Sequence, residues 1–280
     1  MKRTSSKAVL FYLLGAVVIA SLVRFFQYVS IMDFETGYYL LGSEAAGILI
    51  YIILAVLSAL LVPICIIGKR KNDAAYTVSS DGMGDHATQI LGCSFLAAAV
   101  VKLIGQLSAE FDLMAALGYL AALLTALVGL VLLGRKEPPA FIGGYIGIPL
   151  SVYFFLQTAI CFNSDLTVLN HSDQLLVLIS LVLGTAFMAS VSRFFARIET
   201  RNSRMREIIT SGLTFIVSGT HVLSKLMAFL FGGSAVSGMQ EINPDTAFFA
   251  LTSAGFLIML FCTEKRKEIT YIITEEEENS

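Results

Sequence analysis

Residues 45–71 read AAGILIYIILAVLSALLVPICIIGKRK, an uncharged run over 45–67 that is followed by Lys69, Arg70 and Lys71. A helix of about 20 apolar residues crosses the roughly 30 Å hydrocarbon layer of a bilayer. A membrane-spanning segment must be helical because lipid cannot satisfy free backbone hydrogen-bonding groups. The stretch therefore predicts a transmembrane helix with a basic end.

Seven more segments of this kind can be read along the chain. The eight predicted segments are 8–31, 45–67, 90–109, 115–133, 140–162, 175–196, 208–231 and 246–262. No run of about ten alternating residues, the pattern of a membrane β-barrel strand, interrupts them. We therefore predict an all-α, polytopic integral membrane protein built as a bundle of eight transmembrane helices.

The Lys and Arg residues between these segments lie in alternate gaps. Sixteen of the 19 lie in these gaps or, as Arg193 does, at the adjoining end of a segment: Lys2, Arg3, Lys7, Lys69, Arg70, Lys71, Arg135, Lys136, Arg193, Arg197, Arg201, Arg204, Arg206, Lys265, Arg266 and Lys267. Loops on the cytoplasmic side of membrane proteins are enriched in Lys and Arg. The alternation predicts that both the N- and C-termini are cytoplasmic, in a multi-pass protein of a cell membrane, most simply the bacterial cytoplasmic membrane.

The composition leaves little room for anything outside the membrane. The chain is 56% hydrophobic and 14% charged, with a mean hydropathy of +0.78. We expect one transmembrane domain over residues 1–263 and a charged, disordered cytoplasmic tail over 264–280. The basic clusters are short and adjoin helix ends, so they indicate contact with membrane lipids and no binding of nucleic acid. Four scattered cysteines and three histidines, none at metal-site spacing, predict no metal and no cofactor.

The three remaining cations lie well inside predicted segments, where a charge is costly and often functional. They are Arg24, Lys102 and Lys225, on the first, third and seventh segments. Polar residues accompany them on alternate segments and at similar heights in the outer part of the membrane: Gln27, Gln106, Gln157 and His221. If all seven face one cavity, they form a cationic, hydrogen-bonding site for an anionic ligand.

The alternative is that each cation extends to the membrane surface or pairs with an acidic residue of an outer loop. The acidic residues within reach are Asp33, Glu35, Glu110 and Asp112. In that case the cations stabilise the protein and bind no ligand.

The fifth segment is expected to be irregular. Gly143, Gly144, Gly147 and Pro149 lie in its first half, and proline bends a helix while glycine permits close packing. It is either a kinked packing helix or a broken helix beside a substrate path.

The string Gly82-Met83-Gly84-Asp85 resembles the Gly-x-Gly-Asp motif of type IV prepilin peptidases, which are polytopic aspartyl proteases. The resemblance implies that Asp85, together with Asp33, activates a water molecule as a proton-sharing pair. Only the segment 45–67 separates Asp33 from Asp85, however, so the predicted topology puts them on opposite sides of the membrane. The alternative to a catalytic role is that Asp85 caps the N-terminus of the third helix.

Three functions follow from these patterns. The leading hypothesis is a small transporter or permease-like protein for an anionic or zwitterionic solute. The second is a non-catalytic membrane component that binds lipid, a membrane partner protein or a second copy of the chain. The third is a membrane-embedded aspartyl peptidase, although the sequence favours a role that is not enzymatic.

Overall fold

The computed structural model describes residues 6–32, 39–40, 42–67, 85–107, 112–134, 141–165, 172–198, 203–231 and 242–278. These residues form eight long α-helices and one π-helical turn. The α-helices are α1 (Ser6–Ser30), α2 (Glu44–Ile67), α3 (Asp85–Leu107), α4 (Leu113–Gly134), α5 (Ile148–Asp165), α6 (Ser172–Phe195), α7 (Ser203–Phe231) and α8 (Pro244–Glu278). Each has a stretch long and apolar enough to cross a membrane. The prediction of an all-α bundle of eight membrane-spanning helices is confirmed.

Eight crossings return the two ends of the chain to one side of the bundle. We call the end at which α1 ends and α2 begins the outer end, following the predicted orientation, and the opposite end the inner end. The membrane-spanning part of α8 is Pro244–Phe261, but its backbone continues as a helix to Glu278. The backbone is therefore helical over most of 264–280, the tail that was expected to be disordered. The division of the chain into a membrane domain and a tail stays a prediction.

Helix α7 packs against four other helices. It contacts α1, α2, α6 and α8, whereas α3 packs on α4 and α8, and α5 packs on α6. Small side chains let the neighbouring helices approach α7: a Cβ added at Gly212 would lie 2.7 Å from Leu61 of α2. Because four helices pack on α7, the polar residues on its buried face can be kept away from lipid.

The predicted irregularity of the fifth segment is confirmed as a π-helical turn, Ile142–Gly147, which directly precedes α5. A Cβ at Gly143 would lie 2.3 Å from the backbone nitrogen of Ala196, and one at Gly147 would lie 2.3 Å from Oγ of Ser192. The glycines therefore let this turn pack against the inner end of α6. Ser192 lies 19 residues after Asp173 on α6, about 28 Å along the axis. The turn is thus far from the charged residues at the outer end.

Candidate functional site: a charge cluster at the outer end

Arg24 is enclosed in the bundle about a turn and a half before the end of α1, with none of its surface exposed. Its guanidinium donates to Oδ1 of Asp173 (Nη2 to Oδ1, 2.6 Å), to Oε1 of Gln27 at 3.0 Å and to the hydroxyl of Tyr39 at 3.1 Å. It also lies 4.7 Å from the centre of the Tyr28 ring. These contacts give a charge inside the membrane-spanning region both a counter-ion and hydrogen-bond acceptors.

Asp173 is the centre of this arrangement. Its Oδ1 accepts hydrogen bonds from Arg24 and from the hydroxyl of Tyr28 (2.8 Å), and its Oδ2 lies 2.5 Å from Nζ of Lys225. The side chain belongs to the first turn of α6, where the helix dipole favours a negative charge. One carboxylate therefore joins α1, α6 and α7, held by two cations and a phenol. We call Arg24, Gln27, Tyr28, Tyr39, Asp173 and Lys225 the outer charge cluster.

The start of α2 also holds the cluster in place. Gln27 donates to the carbonyl oxygen of Ala46 at 2.7 Å, and the Tyr39 hydroxyl donates to that of Gly47 at 3.2 Å. A Cβ at Gly47 would lie 2.4 Å from Cζ of Tyr39, so the tyrosine ring rests on bare backbone. Gln27 and Tyr39 therefore act as positioning groups that hold Arg24.

His221 lies one helical turn before Lys225 on α7 and is 1% exposed. Asp173, Lys225 and Arg24 are the charged groups that act on it electrostatically. Neither ring nitrogen has a hydrogen-bond partner among the residues that the structure describes. His221 thus places an imidazole next to the outer charge cluster, on the side of the inner end.

Lys102 belongs to a separate group. It pairs with Asp245 in the first turn of α8 and lies 5.1 Å from the centre of the Tyr153 ring of α5. It is 1% exposed. A pair 143 residues apart in sequence thus connects α3 to α8.

The two remaining glutamines join neither group in the described part of the chain. The side chain of Gln106 packs beside α4, where a Cβ at Gly118 would lie 2.6 Å from Cδ of Gln106. The backbone carbonyl oxygen of Gln106 accepts a hydrogen bond from the hydroxyl of Tyr119 at 3.0 Å. Gln157 is half-buried on α5, and it has no hydrogen bond to a described residue. Of the seven predicted site residues, the structure brings Arg24, Gln27, His221 and Lys225 together and places Lys102, Gln106 and Gln157 elsewhere.

The acidic partners of the buried cations were not predicted from the sequence. Asp112 was expected to lie within reach of these cations, but its Oδ1 accepts a hydrogen bond from the backbone nitrogen of Ala115 at 2.7 Å and caps α4. Asp33, Glu35 and Glu110 lie outside the described residues. Asp173 and Asp245 could have been recognised as partners from their place in the sequence. Each lies in the first turn of a helix that begins at the outer end, near the level of the buried cations.

A line of buried polar residues follows one face of α7 towards the inner end. Its members, spaced alternately four and three residues apart, are Glu207, Ser211, Thr214, Ser218, His221 and Lys225, and each is at most 4% exposed. This spacing keeps side chains on one face of a helix. The line runs from Glu207 to Lys225, which lie about 27 Å apart along the helix axis, and we call it the polar line of α7.

Of the two residues of the peptidase resemblance, Asp85 begins α3 at the inner end of the bundle, and Asp33 lies outside the described residues. The 24 residues of α2 separate the two positions. Two carboxylates that share a proton must be a few ångströms apart.

Comparisons of the chain with protein-family models, with curated proteins and with solved structures found no match.

Proposed function

We propose that this multi-pass membrane protein is a small permease-like transporter for an anionic or zwitterionic solute, whose carboxylate binds to Arg24 and Lys225. One observation carries the proposal: the cluster already holds a carboxylate, that of Asp173, between Arg24, Lys225 and Tyr28. A solute carboxylate has the same shape and charge as that of Asp173. It can therefore take the place of Asp173 on the same donors.

The location of the cluster also supports this role. Charged residues within membrane-spanning helices are rare, and they commonly mark the path of an ion or substrate. Arg24 and Lys225 are on α1 and α7, which pack against each other, so a shift of α6 that withdraws Asp173 would leave both cations facing the same space. Asp173 could then bind the ammonium group of a zwitterionic solute.

The variant Asp173→Asn tests the proposal. It keeps the shape of the side chain but removes the internal carboxylate that competes with the solute. We expect sodium acetate to raise the melting temperature of the purified variant, with an apparent affinity about tenfold higher than for the wild type, because no internal competitor must be displaced. Sodium chloride at equal ionic strength is the control for screening by salt.

Asp245→Asn is the matched control variant. It removes the carboxylate of the other buried ion pair, so it should lower the melting temperature without any recovery in acetate. Uptake of labelled acetate or alanine into proteoliposomes then distinguishes transport from binding. Failure of acetate to stabilise either the wild type or Asp173→Asn would overturn the proposal.

The second candidate function is a non-catalytic membrane component in which the cations are structural. The pair of Lys102 and Asp245 favours it, since here one buried cation contacts one carboxylate between aromatic rings. If the outer charge cluster works in the same way, Asp173→Asn should destabilise the protein as Asp245→Asn does, and acetate should restore neither variant.

A further inference from the structure

His221 is a buried polar side chain that the contacts of the cluster do not account for. A neutral imidazole has one N–H donor and one acceptor nitrogen, and buried groups of this kind are almost always hydrogen-bonded. Both nitrogens of His221 lack a partner among the described residues, although the side chain is 1% exposed. The imidazole is therefore available to a small ligand that reaches it from within the bundle, and the smallest such ligand is a proton.

The titratable groups around His221 come from several helices. Arg24 acts on it from α1, Asp173 from α6, and Lys225 from one turn further along α7, while Tyr28 of α1 donates a hydrogen bond to Asp173. On α2, Tyr51 contacts Tyr39, and on α8, Asp245 pairs with Lys102. A proton on His221 adds one positive charge beside the outer charge cluster. An anion that binds to the cluster compensates that charge.

We propose that His221 binds a proton together with the anionic solute, so that the protein moves proton and anion as a pair. The inference rests on the proposed function and adds the coupling ion to it. The proton binds the lone pair of the acceptor nitrogen of the imidazole and converts it to imidazolium. The imidazolium attracts the carboxylate of Asp173, which weakens the hold of that carboxylate on Arg24 and Lys225, and the two cations bind the solute carboxylate.

The charges balance in this scheme. One proton and one monoanion enter the cluster and leave it together, so no net charge crosses the membrane with them. Because binding effects are reciprocal, the anion increases the affinity of His221 for the proton by the same factor by which the proton increases the affinity for the anion.

The polar line of α7 supplies polar groups between His221 and the inner end. Ser218 lies one turn below His221, fully buried, and its Oγ has no partner among the described residues. Thr214 donates to the carbonyl oxygen of Leu183 on α6 at 3.1 Å, which keeps this face of α7 against α6 and away from lipid. Glu207, 3% exposed, stands at the inner end of the line. A proton released from His221 thus meets hydroxyl and carboxyl oxygens on the way to the inner side.

The first experiment observes the imidazole directly. The variant His86→Gln/His171→Gln leaves His221 as the single histidine, and ¹⁵N-histidine labelling makes the protonation of its ring visible by NMR in nanodiscs. We expect sodium acetate to shift the midpoint of the His221 titration upwards in pH. An unchanged protonation state with bound acetate, at every pH between 5.5 and 8, would overturn the inference.

The second experiment measures acetate affinity against pH by thermal shift. In the wild type we expect the affinity to fall about tenfold per pH unit once His221 is mainly neutral, whereas His221→Gln should show no such slope. His86→Gln, at an exposed histidine at the start of α3, is the matched control and should behave as the wild type. His221→Asn serves if the glutamine variant does not fold.

The outcomes separate the two proposals. Acetate binding with the same pH dependence in His221→Gln as in the wild type would overturn the role of His221 and leave the anion site intact. Absence of acetate binding in the wild type and in Asp173→Asn at every pH would overturn both.

Discussion

Arg24, Lys102 and Lys225 lie in the outer part of the membrane-spanning helices, and each contacts an aspartate in the first turn of another helix. Arg24 and Lys225 share Asp173, and Lys102 contacts Asp245. Removing a charge from water costs several kcal/mol, which only a close counter-ion and further hydrogen bonds can offset. The helix N-terminus adds a favourable field for the aspartate. At the scale of single residues, buried ion pairs therefore connect the helices at the outer end of the bundle.

The hydroxyl of Tyr28 can be tested separately from its ring. Tyr28→Phe removes the 2.8 Å hydrogen bond to Asp173 but keeps the ring beside Arg24 and Lys225. Because the acceptor is charged and buried, we expect a loss of about 1–2 kcal/mol in the free energy of unfolding, measured by denaturation in detergent.

Tyr119→Phe is the matched control for that measurement. Its hydroxyl donates to a neutral acceptor, the carbonyl oxygen of Gln106, so its removal should cost less than about 1 kcal/mol. Equal losses in the two variants would contradict the charged character of the cluster.

The sequence drew attention to Arg24, Gln27, His221 and Lys225, which the structure brings together, because charged and polar side chains are conspicuous among apolar neighbours. It did not predict Asp173, because an aspartate at a helix start is ordinarily a cap and faces water. Only the packing of both α1 and α6 against α7 brings its carboxylate to the cations.

At the scale of elements, the loop before α2 connects that helix to the cluster. Tyr39 forms an antiparallel bridge with Met32, and its ring lies over Gly47 in the first turn of α2. Tyr39 can accept a hydrogen bond from Arg24 only while its ring lies close to this backbone. The absence of a side chain at Gly47 thus positions a group of the site.

Gly47→Ala should disturb this contact. The new Cβ would lie 2.4 Å from the ring of Tyr39, so the ring must move and its hydrogen bond to Arg24 must lengthen. We expect a loss of about 1–3 kcal/mol in the free energy of unfolding in detergent, typical of overpacking.

Gly15→Ala on α1 is its control, since a Cβ there has no neighbour within 4 Å. That change should be neutral or slightly stabilising, because alanine favours the helix. A loss at Gly15 as large as that at Gly47 would show that the effect comes from helix propensity and not from the contact with Tyr39.

The helices themselves followed from the sequence within a few residues, because the length and apolarity of each segment are local properties. The irregular start of the fifth segment was also predictable, since Gly143, Gly147 and Pro149 limit what the backbone can do. The contact of that turn with α6 was not, because the partner helix is distant in the sequence.

At the scale of the whole molecule, ion pairs connect helices that are far apart in the chain. Lys102 and Asp245 join α3 to α8, and Asp173 joins α6 to α1 and α7. Apolar packing alone discriminates little between helix arrangements in lipid, because lipid is as apolar as the side chains. The pairs therefore help to select one arrangement of the eight helices.

A double-mutant cycle on Lys102 and Asp245 tests this role. Lys102→Met alone leaves a buried carboxylate without its counter-ion, and Asp245→Leu alone leaves a buried ammonium, so each should cost about 3–5 kcal/mol in the free energy of unfolding. The double variant should lose much less than either single variant, since no charge is left unpaired. Additive losses would contradict a direct pairing of the two side chains.

The sequence by itself determined that the chain crosses a membrane eight times as helices, and it predicted where the costly charges lie along them. Those properties follow from local apolarity, helix length and the distribution of Lys and Arg. The tertiary structure decided which charges meet: it separated Lys102 from Arg24 and Lys225, gave each group its aspartate, and enclosed the polar line of α7. Such pairings join residues up to 149 positions apart, and they depend on how the helices pack rather than on any local pattern.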